Sequence, residues 1–127
     1  MTERKLAILQ IAQGLFMEKG YTATSVRDIA KSAGVEPASL YSHINGKEEL
    51  LDRTCFEMAE KFLTGIEEVN DIYFDAAQKL KMAVDTHVNI LTNHIDAAVV
   101  FQRDWRHLNE VRRSEFIELR NAYEDGF

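Results

Sequence analysis

The sequence is poor in residues that interrupt helices and in residues that cross-link chains. It holds one proline and six glycines among 127 residues, which excludes collagen-like and proline-rich proteins. Its one cysteine, Cys55, excludes an internal disulfide or a zinc site of several cysteines, and suits a small core residue. No apolar run reaches the roughly 18 residues of a membrane span, and the charged N-terminus lacks a signal peptide's apolar stretch. We therefore expect a globular cytoplasmic protein with no membrane partner.

The net charge of −6 is unevenly distributed along the chain. Residues 1–50 carry six basic and six acidic side chains, whereas residues 51–127 carry nine basic and fifteen acidic ones. The second half is therefore an unfavourable surface for nucleic acid. The first half can bind DNA only through the placement of a few groups, because it has no excess of positive charge.

The spacing of apolar residues predicts an all-α protein, because no segment alternates with a period of two. Residues 70–74 break the helical pattern and predict a connection. Seven helices are predicted, at about 2–19, 25–33, 37–44, 47–69 and 75–92, then one capped by Asp96 and one capped by Asn109. The last of these is expected to expose an apolar face.

The stretch from Thr24 to Lys47 has the pattern of a helix-turn-helix. Gly34 permits a sharp turn between two short helices, and the small Ala30 permits them to pack closely. No Arg, Asn or Gln lies within Pro37–His43, so this stretch cannot make a bidentate contact with a base. Sequence readout is expected to depend on thymine methyl groups, hydroxyl contacts and DNA shape.

A wider pattern at gap-free spacing surrounds this motif. Its residues are Ile8-Leu9, Ala12, Leu15-Phe16, Gly20-Tyr21, Thr24-Ser25-Val26, Ile29-Ala30, Ala33-Gly34-Val35, Leu40-Tyr41 and Gly46-Lys47-Glu48-Glu49-Leu50-Leu51. The span resembles the DNA-binding domain of the TetR family of bacterial transcriptional regulators. The resemblance implies an N-terminal three-helix helix-turn-helix DNA-binding domain at residues 1–46. Residues 47–127 would then form the first part of a helical ligand-binding and dimerisation domain, incomplete beside the family's usual length.

The resemblance also implies which residues contact DNA. They are Thr24, Ser25, Arg27, Pro37, Ala38, Ser39, Tyr41, His43 and Lys47. Thr24 and Ser25 would meet a phosphate at the start of the second helix, where free N–H groups attract an anion. Ala38 and Ser39 would face base edges, and Lys47 would pair with another phosphate. The implied partner is a palindromic double-stranded operator, bound by a homodimer with half-sites about 34–36 Å apart.

A small apolar effector is implied for the second domain. Candidate ligand-binding residues lie on facing apolar stripes, and each could instead be ordinary core: Phe62, Ile66, His87, Leu91, Phe101, Trp105 and Phe116. The arginine-rich segment 103–124 is similar to a subset of the family in which some members respond to acyl-CoA thioesters. An acyl-CoA-like effector is therefore one expectation, and a solvated, salt-bridged helix face is the other.

The predicted function is ligand-responsive regulation of transcription. We expect a repressor that its effector releases from the operator, although the sequence leaves the sign of regulation open. The alternative is a helical protein-interaction module without DNA binding. No phosphate loop or nucleophile elbow is present, so we expect neither enzyme activity nor a cofactor. A metal site built from His87, His94 and Asp104 is disfavoured, and no metal ion is expected.

Overall fold

The computed structural model describes residues 2–72 and 75–126, which form helices and the turns between them. The prediction of an all-α fold is confirmed. The helices are α1 (Glu3–Lys19), α2 (Val26–Ala33), α3 (Pro37–Leu40), α4 (Lys47–Asn70), α5 (Ala76–Asn93), α6 (Ile95–Asp104) and α7 (Glu110–Gly126). A 3-10 turn at Trp105–His107 follows α6 directly. Among the helices described, none is long and apolar enough to cross a bilayer.

The turn between α2 and α3 forms as the sequence predicts. The Ser25 hydroxyl accepts from the Asp28 amide at 3.1 Å, and the Asp28 carboxylate accepts from the Ser25 amide at 3.0 Å. This reciprocal cap fixes the start of α2. Gly34 ends α2 with a φ of +71°, in the left-handed region that glycine adopts without strain. The Val35 amide then reaches back to the Ala30 carbonyl at 3.0 Å, which closes the turn.

Two helix boundaries differ from the predicted ones. The third helix ends at Leu40 rather than Ile44, and the residues between them continue as hydrogen-bonded turns. The Ile44 amide still reaches the Leu40 carbonyl at 3.1 Å, so the helical path persists beyond the regular helix. The sixth helix begins at Ile95, because His94 rather than Asp96 takes the cap position.

Helix α4 runs through the middle of the molecule and contributes to every part of its core. Its buried side chains follow one stripe: Leu50, Leu51, Thr54, Cys55, Phe56, Met58, Ala59, Phe62, Ile66 and Val69. The first of these pack with α1, α2 and α3, and the later ones pack with α5, α6 and α7. The helix continues to Asn70, and residues 73–74 of the predicted connection lie outside the described residues.

Polar contacts tie the neighbouring helices to α4. The Arg112 guanidinium of α7 donates to both carboxylate oxygens of Asp52, at 2.7 and 3.0 Å. The same guanidinium lies 3.6 Å from the centre of the Phe56 ring. From α1, the Lys5 ammonium pairs with Glu49 at 2.7 Å. A two-point ion pair fixes orientation as well as distance, so α7 is held in register with α4.

Cys55 is completely buried within α4. Burial raises the pKa of its thiol to about 12, because a thiolate at this position would lose its hydration. The thiol is therefore protonated at neutral pH. Cys55 behaves as a small core residue, as the sequence indicates, and not as a reactive cysteine.

An apolar face is exposed on α5, and not on α7 where we expected it. Leu80, Val84 and Val88 are 56%, 48% and 48% exposed and follow one another at intervals of four residues. On α7, Val111 is the one large hydrophobic side chain that is exposed among the residues described. The prediction was wrong because Phe116 and the half-buried apolar residues of α7 pack inward.

The neighbours Leu40 and Tyr41 provide a test of how α3 is oriented. Leu40 is fully buried and Tyr41 is 55% exposed. We expect Leu40→Ala to lower the free energy of unfolding by about 2–5 kcal/mol. Tyr41→Ala should lower it by less than about 1 kcal/mol. Urea denaturation followed by circular dichroism measures both, and equal losses would show that α3 is rotated from the orientation described.

Candidate functional site

A shallow groove lies where the starts of α2 and α4 meet the end of α3. It is lined by residues 22–27, Tyr41 and residues 45–48. It brings together five of the residues predicted to contact DNA: Thr24, Ser25, Arg27, Tyr41 and Lys47. Ala38 and Ser39 are exposed on α3 beside the groove, and Pro37 and His43 are partly exposed. The groove and the outer face of α3 therefore form one candidate DNA-binding face.

The start of α4 borders the groove and leaves its first backbone amides without a side-chain cap. The helix α4 begins after Gly46, which has a φ of +154° and which no described side chain caps. This positive φ favours glycine, and a Glu48 carboxylate oxygen lies 2.6 Å from where a Cβ atom would stand. The first amides of an uncapped helix have no intrahelical partner, and with the helix dipole they attract negative charge. The free amides at the start of α4 favour an anion, and the Glu48 carboxylate beside Gly46 disfavours one.

Thr24 does not have the role that the resemblance implies. Its side chain is 1% exposed, and its hydroxyl donates to the Gly20 carbonyl at 2.8 Å. Its amide is also used, because it donates to the Tyr21 carbonyl at 3.2 Å. Thr24 thus closes the loop between α1 and α2 and offers no group to a phosphate. The sequence pattern located the loop correctly but not the direction of this side chain.

Lys47 is also directed toward the protein. Its ammonium donates to the Tyr21 carbonyl at 2.8 Å and to the Thr24 carbonyl at 3.0 Å. It lies 4.1 Å from the centre of the Tyr21 ring, in a cation–π contact. One of the three ammonium hydrogens remains for a phosphate. Lys47 therefore joins the start of α4 to the loop before α2, and any contact with DNA comes in addition to this structural role.

The remaining predicted DNA contacts are on the surface and stay predictions. Ser25 and Arg27 are exposed at the start of α2, and Ser39 and Tyr41 are exposed on the α3 side. Glu48 lines the same groove and opposes the charge of Arg27. With Lys47 counted as well, the groove carries only a small positive charge, and its other donors are mainly hydroxyl and amide groups.

A second concave site lies between α4, α5, α6 and α7. It is a cavity of about 250 Å³. Five of the predicted ligand-binding residues line it: Phe62, His87, Phe101, Trp105 and Phe116. The other two do not. Ile66 packs with Val69 and Ala83 near the far end of α4, and Leu91 packs against a cluster that includes Met58.

Six further residues line the cavity and were not predicted from the sequence. They are Ala59, Gln102, Leu119, Arg120, Tyr123 and Glu124. Four of them lie on α7, where together with Phe116 they follow the spacing of one helix face. This spacing could have identified them, but three of the four are polar or charged and do not stand out in an apolar stripe. The cavity therefore has more polar groups than predicted.

The polar residues of the cavity are partly paired with each other. The His87 Nδ1 lies 2.6 Å from the Tyr123 hydroxyl, and the His87 ring stacks on Phe62 with centres 4.7 Å apart. Burial lowers the pKa of His87 and raises that of Tyr123, so both side chains are neutral at pH 7. The cavity therefore contains a neutral hydrogen-bonded pair beside aromatic walls.

The disfavoured metal site does not form in the described part of the chain. No group of three or more His, Cys, Asp or Glu side chains is close enough there to hold a metal ion. The Asp104 carboxylate, which would have been the acidic ligand, pairs instead with Arg103 at 3.0 Å.

The structural role of Lys47 can be tested without DNA. We expect Lys47→Met to lower the free energy of unfolding by about 1–3 kcal/mol, because two backbone carbonyls lose a charged donor. Arg27→Met removes the same charge from an exposed position and should change stability by no more than about 0.5 kcal/mol. Both are measured by urea denaturation. Identical midpoints for Lys47→Met and the unmodified chain would contradict the contacts described.

Two family models match this chain. The model of the bacterial regulatory proteins of the tetR family matches residues 8–54. The model of the tetracyclin repressor-like C-terminal domain matches residues 73–127.

Individual relatives match nearly the whole chain. The HTH-type transcriptional repressor KstR2 of Rhodococcus jostii is 30% identical over 119 residues, which are 94% of this chain and 58% of the relative. The fatty acid metabolism regulator protein of Bacillus subtilis is 28% identical, over 93% of this chain and 61% of the relative. The crystal structure of the regulator PfmR from Thermus thermophilus has a TM-score of 0.88 and 28% identity, over 99% of this chain and 68% of that one. This chain spans less than two thirds of the length of both curated relatives. It belongs to the TetR family of bacterial regulatory proteins.

Proposed function

We propose that the protein is a DNA-binding regulator of transcription whose affinity for DNA responds to a small apolar ligand. The observation that carries the DNA-binding part is the outward face of the helix-turn-helix. Ser25, Arg27, Ser39 and Tyr41 are exposed together, while Leu40 between the last two is completely buried. A helix held by its inner side with small polar groups outside fits the major groove without obstruction.

The proposed target is a double-stranded operator with inverted half-sites, read by two copies of the protein. Two copies are needed because one face with only a small positive charge supplies little of the electrostatic attraction on which DNA affinity depends. The KstR2 relatives are named repressors, and this supports repression as the outcome here. The regulator would then act in the cytoplasm, where bacterial operators are found. The interaction-module alternative has no comparable observation in its favour.

The proposed effector site is the cavity between α4 and α7. Its walls are mainly aromatic, which suits an apolar ligand with a few polar atoms. One relative is named as a regulator of fatty acid metabolism and another, from Mycobacterium tuberculosis, as a ketosteroid regulator. Both names concern apolar metabolites. They support an apolar effector for this chain, of which an acyl-CoA-like molecule is one form.

A short segment connects the cavity to the candidate DNA-binding domain. Trp105 lines the cavity, while the nearby Arg103 donates to the Phe16 carbonyl and, at 3.2 Å, to the Met17 carbonyl. These carbonyls lie in the last turn of α1, where a cation also complements the helix dipole. Two residues beyond Trp105, the His107 ring stacks on Tyr21 with centres 5.3 Å apart. A ligand that displaces Trp105 would therefore act on α1 and on the loop that precedes α2.

Selection from random duplex DNA tests the DNA-binding part. The full chain should enrich one sequence motif. Tyr41→Ala should weaken binding to it about fivefold or more, because the contact that the resemblance implies between Tyr41 and DNA is lost. Arg27→Met should in addition reduce the slope of log affinity against log salt by about one per half-site. Val111→Ser, which changes an exposed residue on α7, is the control and should bind as the unmodified chain does.

The outcomes separate the two candidate functions. Enrichment of an inverted repeat supports two copies on one operator. Binding that is equally sensitive to salt for every sequence would contradict specific regulation. Absence of binding at both low and moderate salt would favour the interaction module.

Amide hydrogen exchange tests the connection between the cavity and α1. We expect Arg103→Met to accelerate exchange of the Gly20 amide, which donates to the same Phe16 carbonyl at 2.8 Å. Arg106→Met is the matched control. The Arg106 side chain is exposed, and its guanidinium lies 5.3 Å from the centre of the Trp105 ring. Unchanged exchange at Gly20 in Arg103→Met would show that this segment does not support α1.

A further inference from the structure

The cavity contains a charged group that is incompletely paired. The Arg120 Nε–H is buried, and it meets no hydrogen-bond acceptor among the described residues. No other buried side-chain nitrogen or oxygen atom in residues 2–72 and 75–126 is in this state. An unpaired buried donor is costly, and more so on a charged group, so native proteins seldom retain one without a reason. Arg120 lines the cavity and is partly exposed, so a ligand there can reach its guanidinium.

The surroundings of Arg120 leave its charge available. Its guanidinium lies 4.8 Å from the centre of the Trp105 ring, a cation–π contact that holds the side chain at the cavity wall. Glu124 lines the same cavity one helical turn further along α7, but within the described chain no ion pair joins it to Arg120. His87 is neutral and hydrogen-bonded to Tyr123. Among the described residues, Arg120 is therefore the one cationic side chain of the cavity wall.

We propose that the cavity binds an apolar carboxylic acid and that its carboxylate pairs with the Arg120 guanidinium. This inference rests on the proposed function, because it assigns a chemical class to the effector of the same cavity. The apolar part of the ligand lies against Phe62, Phe101 and Phe116. A carboxylate matches a guanidinium in shape and charge, and the aromatic walls exclude the water that would weaken the pair.

The size of the cavity limits the ligand. Its volume of about 250 Å³ is somewhat below the range of about 300–1,000 Å³ that is typical of sites for drug-sized molecules. A carboxylic acid of medium chain length fits this limit. An alcohol of the same chain length would fill the same volume but would give Arg120 no anionic partner.

The fluorescence of Trp105 reports binding directly, because it is the one tryptophan of the sequence and lines the cavity. We would titrate the full chain with octanoate and with 1-octanol, and confirm the affinities by calorimetry. Octanoate should bind about tenfold more tightly than 1-octanol, since a charged hydrogen bond is gained. Arg120→Met should remove this difference and leave the affinity for 1-octanol within about twofold. Arg113→Met makes the same change of charge at an exposed position of α7 and should preserve the preference.

Each other outcome overturns a different statement. Equal affinity for octanoate and 1-octanol in the unmodified chain would overturn the carboxylate assignment but keep an apolar effector site. A preference that survives in Arg120→Met would place the anion elsewhere and also overturn it. If neither compound binds, the cavity does not accept apolar ligands of this size, and both this inference and the proposed effector site fail.

Discussion

The burial of one apolar stripe along α4 fixes how the helix-turn-helix and the helices around the cavity are placed relative to each other. Leu50 near the start of this stripe belongs to the core of the helix-turn-helix, and Phe62 further along it lines the cavity. Twelve residues of helix separate them, or about 18 Å. Because the helix is continuous between them, the cavity and the candidate DNA-binding face share one rigid element. A change in the packing of one end is transmitted as a tilt of the whole helix, provided that the other helices permit it.

The charges of the second half serve mainly to hold helices together. The sequence offered two interpretations of its arginines, as binding sites for CoA phosphates or as a salt-bridged surface. Arg112 pairs with Asp52, and Arg103 pairs with Asp104 and with the end of α1. For these two arginines, the contacts favour the salt-bridged surface. Arg120 is different, because among the described residues no carboxylate forms an ion pair with it. Its position on the inner face of α7, and not its charge, is what distinguishes it.

Features that depend on local sequence could be predicted. The reciprocal cap of Ser25 and Asp28 and the left-handed Gly34 follow from the chemistry of helix ends, and both are present. The all-α fold and the apolar stripe of α4 follow from periodicity. Side-chain directions in loops could not be predicted in this way. Thr24 turns inward because the Gly20 carbonyl, four residues earlier, accepts its hydroxyl, and this depends on the path of the loop, which periodicity does not describe.

The cavity shows the same limit of prediction from sequence. Phe62 and Ile66 are one turn apart on the same helix face, and the sequence gives no reason to separate them. Only the former lines the cavity, because Ile66 packs beside Ala83 of α5 instead. Periodicity places Leu80, Val84 and Val88 on one apolar face of α5, yet that face is exposed while Ala83 is buried. An apolar stripe in the sequence therefore does not by itself decide whether that helix face is buried.

The buried thiol of Cys55 has a practical consequence. Because its pKa is raised to about 12, it does not compete for thiol-directed reagents while the protein is folded. A cysteine introduced on the outer face of α3, for example at Ser39, would therefore be labelled selectively in the otherwise natural chain. Two such labels on a pair of associated copies would allow the separation of their recognition helices to be measured in solution.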